Sequence, residues 1–203
     1  PISFELEAQR MRFLTLPEKE FLKELEVVKE ERRMRTEDDP ESLAYEQFNA
    51  TAYEASPYRI PVIGWASDLE GMTVADLRDW YRQWYAPNNA TLVVVGDVSR
   101  DELQPLLEKQ FKGWRSGDVP QKNIALVGQR TGSTVYLVDR PDSEQSVIFA
   151  GHVAPPKNNE QEIAIEAMNE VLGGSFNARI NMNLREDKHW SYGAQSLLLD
   201  AEG

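Results

Sequence analysis

The sequence predicts an α+β fold, and three observations carry the prediction. Apolar residues recur at helical spacing in several stretches. Short apolar runs bounded by Gly, Pro and Asp read instead as strands. Both kinds of segment occur on each side of a polar stretch near the middle of the 203 residues. A chain of this length can bury roughly 70% of its unfolded surface, which allows a real core.

The elements follow in order. Thr15-Leu16-Pro17-Glu18 is a helix start, with proline near the first turn and acids after it. That helix runs to about Arg35. Asp39 and Pro40 open a second helix, as cap and first position, carrying Leu43, Tyr45, Phe48 and Ala52. Pro57 and Pro61 make the next stretch a loop. Thr73 and Asp76 form a capping box, followed at helical spacing by Leu77, Trp80, Tyr81 and Trp84, a core stripe. Pro87-Asn88-Asn89 is a turn, and 90–95 is a buried strand ended by Gly96-Asp97. Ser99 and Glu102 cap a helix to about Phe111, with Pro105 expected to kink it. The polar stretch follows. Beyond it come strands at 135–138 and 146–150, a helix at 159–172, the break Gly173-Gly174, a helix at 176–186 and a strand at 192–199. The domain reading is 1–117, a linker at 118–132, and 133–203.

Composition excludes several classes. There is no cysteine, so disulfides, thiolate metal sites and a cysteine nucleophile are out. No apolar run is long enough for a membrane helix. The formal net charge is −12, and the densest basic run, Arg32-Arg33-Met34-Arg35, is flanked by acids, which argues against nucleic acid as a partner. The two histidines, His152 and His189, cannot supply a multi-histidine site. Pro1 is not an initiator, and Gly203 closely follows an apolar strand candidate, so a piece cut from a longer protein is expected.

The first long helix holds the sharpest feature. With Phe21 at zero on a 100° wheel, Leu25 falls at about +40° and Val28 at about −20°. Glu24 lands near −60°, Glu31 near −80° and Val27 near −120°. Two carboxylates therefore share a face flanked by apolar positions, and they are expected to point inward. Buried carboxylates need a cation, either a metal or an arginine. By spacing alone, two glutamates a heptad apart are commonly a chance feature of a charged helix. Gly173-Gly174 before a helix could cradle an anion, though a helix break is the simpler reading. Arg185 and Tyr192 lie across a helix end and into a strand, where one could grip a substrate carbonyl and the other bond beside it. Their default reading is surface and packing.

Four segments, in order, resemble one family. Glu24-Leu-Glu-Val-Val-Lys-Glu-Glu31 resembles the second zinc-site segment of the pitrilysin/insulinase metallopeptidases, the zinc enzymes with an inverted motif. Ser56-Pro57-Tyr58 with Pro61-Val62-Ile63-Gly64 is similar to the family's His-Pro-Tyr stretch, with Ser56 where His is usual. The stretch from Trp84-Tyr85-Ala86-Pro87-Asn88-Asn89 to Gly96-Asp97 resembles its helix–turn–strand signature. Leu172-Gly173-Gly174, Asn177-Ala178-Arg179-Ile180, Leu184-Arg185-Glu186 and Tyr192-Gly193 resemble its second-domain motif.

The resemblance implies two similar peptidase-type domains, both incomplete here, each α+β with antiparallel sheets and packed helices. It implies a chamber in which peptides or unfolded polypeptides bind as an added strand. Glu31 is implied as a zinc ligand, and Glu24 as a catalytic carboxylate acting beside it on the same face. Arg185 and Tyr192 are implied as the pair that binds substrate. The His-x-x-Glu-His string that supplies two ligands and the general base is absent from residues 1–203 and is expected upstream. The implied whole protein is a zinc metalloendopeptidase, a homodimer or heterodimer of family subunits, periplasmic or otherwise cytoplasmic. This piece alone is expected to be inactive and without zinc. The alternative is a non-catalytic family member serving as dimer partner or scaffold subunit.

Overall fold

The computed structural model describes residues 2–202. They form two compact units, Pro1–Asp39 with Val62–Asn123, and Pro40–Pro61 with Ile124–Gly203.

The first unit is built from α1 (Ile2–Arg12), α2 (Glu18–Arg32), α4 (Ala66–Gly71), α5 (Val74–Trp84) and α6 (Arg100–Phe111). Pro17, extended, precedes α2, and the helix passes into a wide π-type turn at Arg33–Glu37. The α5 and α6 starts are reciprocal caps. Thr73 Oγ1 accepts from the Asp76 N–H while Asp76 accepts from the Thr73 N–H, and Ser99 and Glu102 repeat the arrangement. Each box pairs amide donors that the first helical turn leaves unmatched. Packing is then pinned by side chains on backbone carbonyls. Arg12 Nη1 donates to Gln110, Tyr81 Oη to Arg10 and Arg78 Nη2 to Leu16, at 3.0, 2.8 and 2.8 Å. The α2 helix lies on α4 and α5, and Leu25 and Leu69 are buried there. Arg32, also buried, donates from Nη1 to the Gly64 carbonyl at 2.8 Å and pairs with Glu37. Gly64 turns the chain at φ +87°, a region that glycine enters without strain. In the α5 stripe, Leu77, Tyr81 and Trp84 are half-buried and Trp80 is exposed.

The second unit contains α3 (Pro40–Ala52), α7 (Glu162–Asn169), a π-type turn at Glu170–Gly174, α8 (Arg179–Asn181) and a second π-type turn at Met182–Asp187. Two asparagines latch it. Asn181, almost fully buried, donates to the Phe176 carbonyl at 2.8 Å and accepts from the Ala194 N–H at 3.1 Å. Ser196 Oγ donates to Asn169 Oδ1 at 2.7 Å, and the Ser196 N–H donates to the Gly173 carbonyl at 3.0 Å. The regular helix expected over 176–186 is instead this short α8 followed by a wide turn.

The expected antiparallel sheets are overturned. None of the described residues lies in a strand. Segments 90–95, 135–138, 146–150 and 192–199 run without a ladder partner, and many of their apolar side chains stand in solvent: Val95 is 93% exposed and Leu137 91%, although Phe149 and Leu198 are half-buried. The physical reason is that β-branched runs report a capacity to pair. A strand forms only when a neighbouring backbone about 4.8 Å away accepts its hydrogen bonds. Among the described residues there is thus no sheet edge for a peptide to extend.

Candidate functional site

Arg185 and Tyr192 are brought together by a tight reversal. The Lys188 N–H bonds back to the Asn183 carbonyl at 2.9 Å, and the Trp190 N–H bonds to the Leu184 carbonyl at 2.9 Å. Between them His189 takes a left-handed backbone, φ 56°, which turns the chain back on itself. The Tyr192 ring thereby lies 5.4 Å from the Arg185 guanidinium carbon, and the Phe176 ring lies 4.8 Å from it. Both distances fall within cation–π range. Arg185 Nε also pairs with Glu186 at 3.4 Å. The Arg185 side chain is 34% exposed and the Tyr192 ring almost wholly so, so guanidinium N–H groups and the phenol remain open to a ligand. Chemically this is a cation with a fork of donors held by aromatic faces, suited to carbonyl or carboxylate oxygens. Phe176 was not foreseen. Its nine-residue separation from Arg185 matches no helical or strand period, because an irregular stretch intervenes.

The α2 carboxylates are arranged differently from the inward pair expected. Glu24 is exposed. Glu31 is half-buried, and it holds Arg35 at 2.6 Å. Seven residues separate the two glutamates by about 10 Å along the axis, so they share a helix face without forming one site. Neighbouring Glu30 is held below the ordinary carboxylate range by its hydrogen bond from Arg33, which outweighs the opposing effect of desolvation, with the positive charge of Arg33 adding to it. Glu30 and Glu31 thus pair with Arg33 and Arg35 of the turn that follows α2, and Glu20 and Glu26 pair with Lys23 and Lys29 within the helix. Zinc does not fit these residues by themselves: a catalytic zinc takes three protein ligands, and no cluster of three or more His, Cys, Asp or Glu able to hold a metal occurs among the described residues. The two isolated histidines do not alter this. His152 Nδ1 lies 2.9 Å from the Val153 carbonyl, and His189 serves the turn. Gly173-Gly174 closes against Asn169 and Ser196, a packing role.

Comparison with known proteins decides the family. The family model of the peptidase M16 inactive domain matches residues 71–202. The chain belongs to the peptidase M16 family. Zinc protease PqqE of Helicobacter pylori (strain ATCC 700392 / 26695) is 31% identical over 189 residues, covering 92% of this chain and 42% of that protein. A solved protease structure from Helicobacter pylori superposes with a TM-score of 0.72 at 28% identity, covering 98% of this chain and 48% of that one. A probable inactive metalloprotease, YmfF of Bacillus subtilis (strain 168), is 22% identical over 152 residues, 72% of this chain and 34% of that protein. This M16 chain thus spans less than half the length of these curated relatives. The resemblance to the pitrilysin/insulinase zinc metallopeptidases read from the four motifs agrees with this M16 membership. The family includes proteins named as zinc proteases and at least one named as inactive. Among the described residues, no helix is long and apolar enough to cross a membrane.

Proposed function

We propose that this M16 chain is part of a zinc metalloendopeptidase that hydrolyses peptides or unfolded polypeptides. The observation that carries the reading is its identity, along nearly the whole chain, to a protein named as a zinc protease. In this reading Glu31 contributes one carboxylate to a zinc site whose other ligands come from a His-x-x-Glu-His string elsewhere in the whole protein, since residues 1–203 contain only two histidines. Glu24 acts beside Glu31 as an electrostatic partner on the same face of α2. Arg185 and Tyr192 bind the substrate backbone, supported by the paired geometry of the guanidinium and ring. Residues 1–117 belong to the domain bearing Glu31, 118–132 link, and 133–203 belong to the domain bearing Arg185. The whole protein works as a dimer of family subunits, in the periplasm. Residues 1–203 alone do not cleave peptide.

The test is zinc content and peptide cleavage by the whole protein, wild type against Glu31→Gln. Loss of both in the variant supports the reading. Cleavage unchanged by Glu31→Gln rejects it.

A second reading has its own support. The matching family model describes an inactive domain, and one relative is named as inactive. In that reading the whole protein is a non-catalytic partner or scaffold subunit. A whole-protein sequence without His-x-x-Glu-His, together with no cleavage by the isolated protein and cleavage restored on adding an active family subunit, distinguishes it.

A further inference from the structure

A cleft of about 350 Å³ opens between α3 and the extended segment 198–201, inside the second unit. Tyr45, Asn49 and Tyr53 line it at positions i, i+4 and i+8, one helical stripe, since the Tyr53 N–H continues the α3 ladder onto the Asn49 carbonyl at 2.9 Å. Tyr58 joins them from the short 3₁₀ turn Pro57–Arg59. The rings of Tyr53 and Tyr58 stand 5.9 Å apart and tilted by 45°, two walls meeting at an angle. Tyr45 is steadied from behind by Phe149, at 5.6 Å.

The opposite wall is fastened at two points. The Glu202 N–H donates to the Tyr58 phenol oxygen at 3.1 Å, and the Lys157 N–H donates to the Ala201 carbonyl at 3.1 Å. The phenol of Tyr53 is pushed above its ordinary pKa, by burial first and then by Tyr45 and Tyr58 nearby, so it remains neutral in neutral water.

The charge at the cleft is negative. Asp200 is the carboxylate in its lining. It lies 3.2 Å from Lys157 Nζ, which is also bound by Glu162 at 2.9 Å and Glu166 at 2.8 Å. One ammonium therefore faces three carboxylates, and Asp200, with a side chain 64% exposed, keeps lone pairs for another cation. An anion is disfavoured by this balance. A hard metal ion lacks ligands, because the other lining groups are phenols, one amide and aliphatic chains.

We propose that this cleft binds a small organic ammonium cation, with the tyrosine rings as its walls and Asp200 as its counter-charge. Tilted electron-rich faces beside a carboxylate attract a weakly hydrated cation through the ring quadrupole. The volume suits a ligand of choline size or somewhat larger. Asn49 can bond a hydroxyl on such a ligand. The proposal is independent of the peptidase reading, since the cleft includes none of Glu24, Glu31, Arg185 or Tyr192. Its failure leaves that reading untouched.

The experiment titrates choline chloride into the 203-residue chain at constant ionic strength and follows the tyrosine ring signals by NMR. The neutral carbon isostere 3,3-dimethylbutan-1-ol is titrated in parallel. Choline is expected to shift the signals of Tyr45, Tyr53 and Tyr58 and to saturate in the millimolar range. The isostere is expected to bind about tenfold more weakly. Asp200→Asn, on an exposed side chain, should weaken choline about fivefold without changing the circular dichroism. Tyr58→Leu should weaken it as well. No shift with choline overturns the proposal. So does equal binding of the isostere, which would make the cleft merely apolar, and that comparison uses the wild-type chain, so it stands even if a variant fails to fold.

Discussion

The Arg185 guanidinium carbon lies 5.4 Å from the centre of the Tyr192 ring. Seven residues of chain separate them, and a left-handed turn at His189 closes the gap. With Phe176 on the other contact, the guanidinium is oriented before any ligand arrives. Pre-orientation lowers the entropic cost of gripping a substrate oxygen. Arg185→Ala is therefore expected to reduce kcat/KM on peptides in the whole protein. The thermal melt should move little, because a partly exposed arginine contributes within about 1 kcal/mol to stability. Arg185→Lys should restore only part of the activity, since lysine lacks the planar fork. If the double variant Arg185→Ala, Tyr192→Phe cleaves as well as wild type, the pair only packs.

Glu31 and Arg35 make a second prediction. Their pair is solvent-facing, with Arg35 77% exposed, so it adds little to stability. Arg35→Ala in the whole protein should leave zinc content and cleavage near wild type, whereas Glu31→Gln should lower both. Equal loss from the two variants would mean that the ion pair, and not the carboxylate itself, is what matters.

The capping boxes are testable in the 203-residue chain. Thr73→Ala and Ser99→Ala should each destabilise it by about 1 kcal/mol in urea titrations, the ordinary cost of losing such a cap. Asp76 carries a pH signature. The hydrogen bonds from the Thr73 side chain and then backbone hold its carboxyl below the usual range. A carboxyl depressed in the folded state stabilises above its unfolded pKa, and that contribution disappears as pH falls through the folded value. Glu102, held down by the Ser99 backbone N–H and then its hydroxyl, behaves alike. Asp76→Asn should accordingly flatten the decline of stability on acidification below the ordinary carboxylate range. An unaltered slope would show that the box does not form in solution.

Gly173 permits a close approach to Ser196. A methyl group built on Gly173 falls 2.6 Å from the Ser196 backbone nitrogen and nearer still to its hydroxyl. Backbone cannot yield there as a flexible side chain could. Gly173→Ala should cost about 1–3 kcal/mol and expose the Ser196 amide to hydrogen exchange. Gly71→Ala, where a methyl meets nothing within 4 Å, is the control.

What the sequence determined by itself is local or familial. Pro17 before Glu18, Pro40 at the head of α3 and the Thr73–Asp76 and Ser99–Glu102 boxes all act within about one helical turn, so residues a few places apart suffice to specify them. The four ordered motifs were likewise enough to point to the M16 peptidases. On the second helix the sequence singled out Leu43, Tyr45, Phe48 and Ala52; that Asn49 and Tyr53 share the stripe of Tyr45 along the cleft came only with the structure. Tertiary structure decided the rest. Val93 and Leu137 sit in runs that could pair, yet whether a ladder forms depends on a second backbone that no local pattern specifies. The inward turn expected of Glu24 failed for a related reason: the helical wheel orders positions around α2 but does not say which arc is covered. Phe176 reached Arg185 through the irregular stretch between them, and segment 198–201 reached the tyrosines only through a long-range return of the chain, where hydrogen bonds such as that from the Glu202 N–H to Tyr58 join residues far apart in sequence.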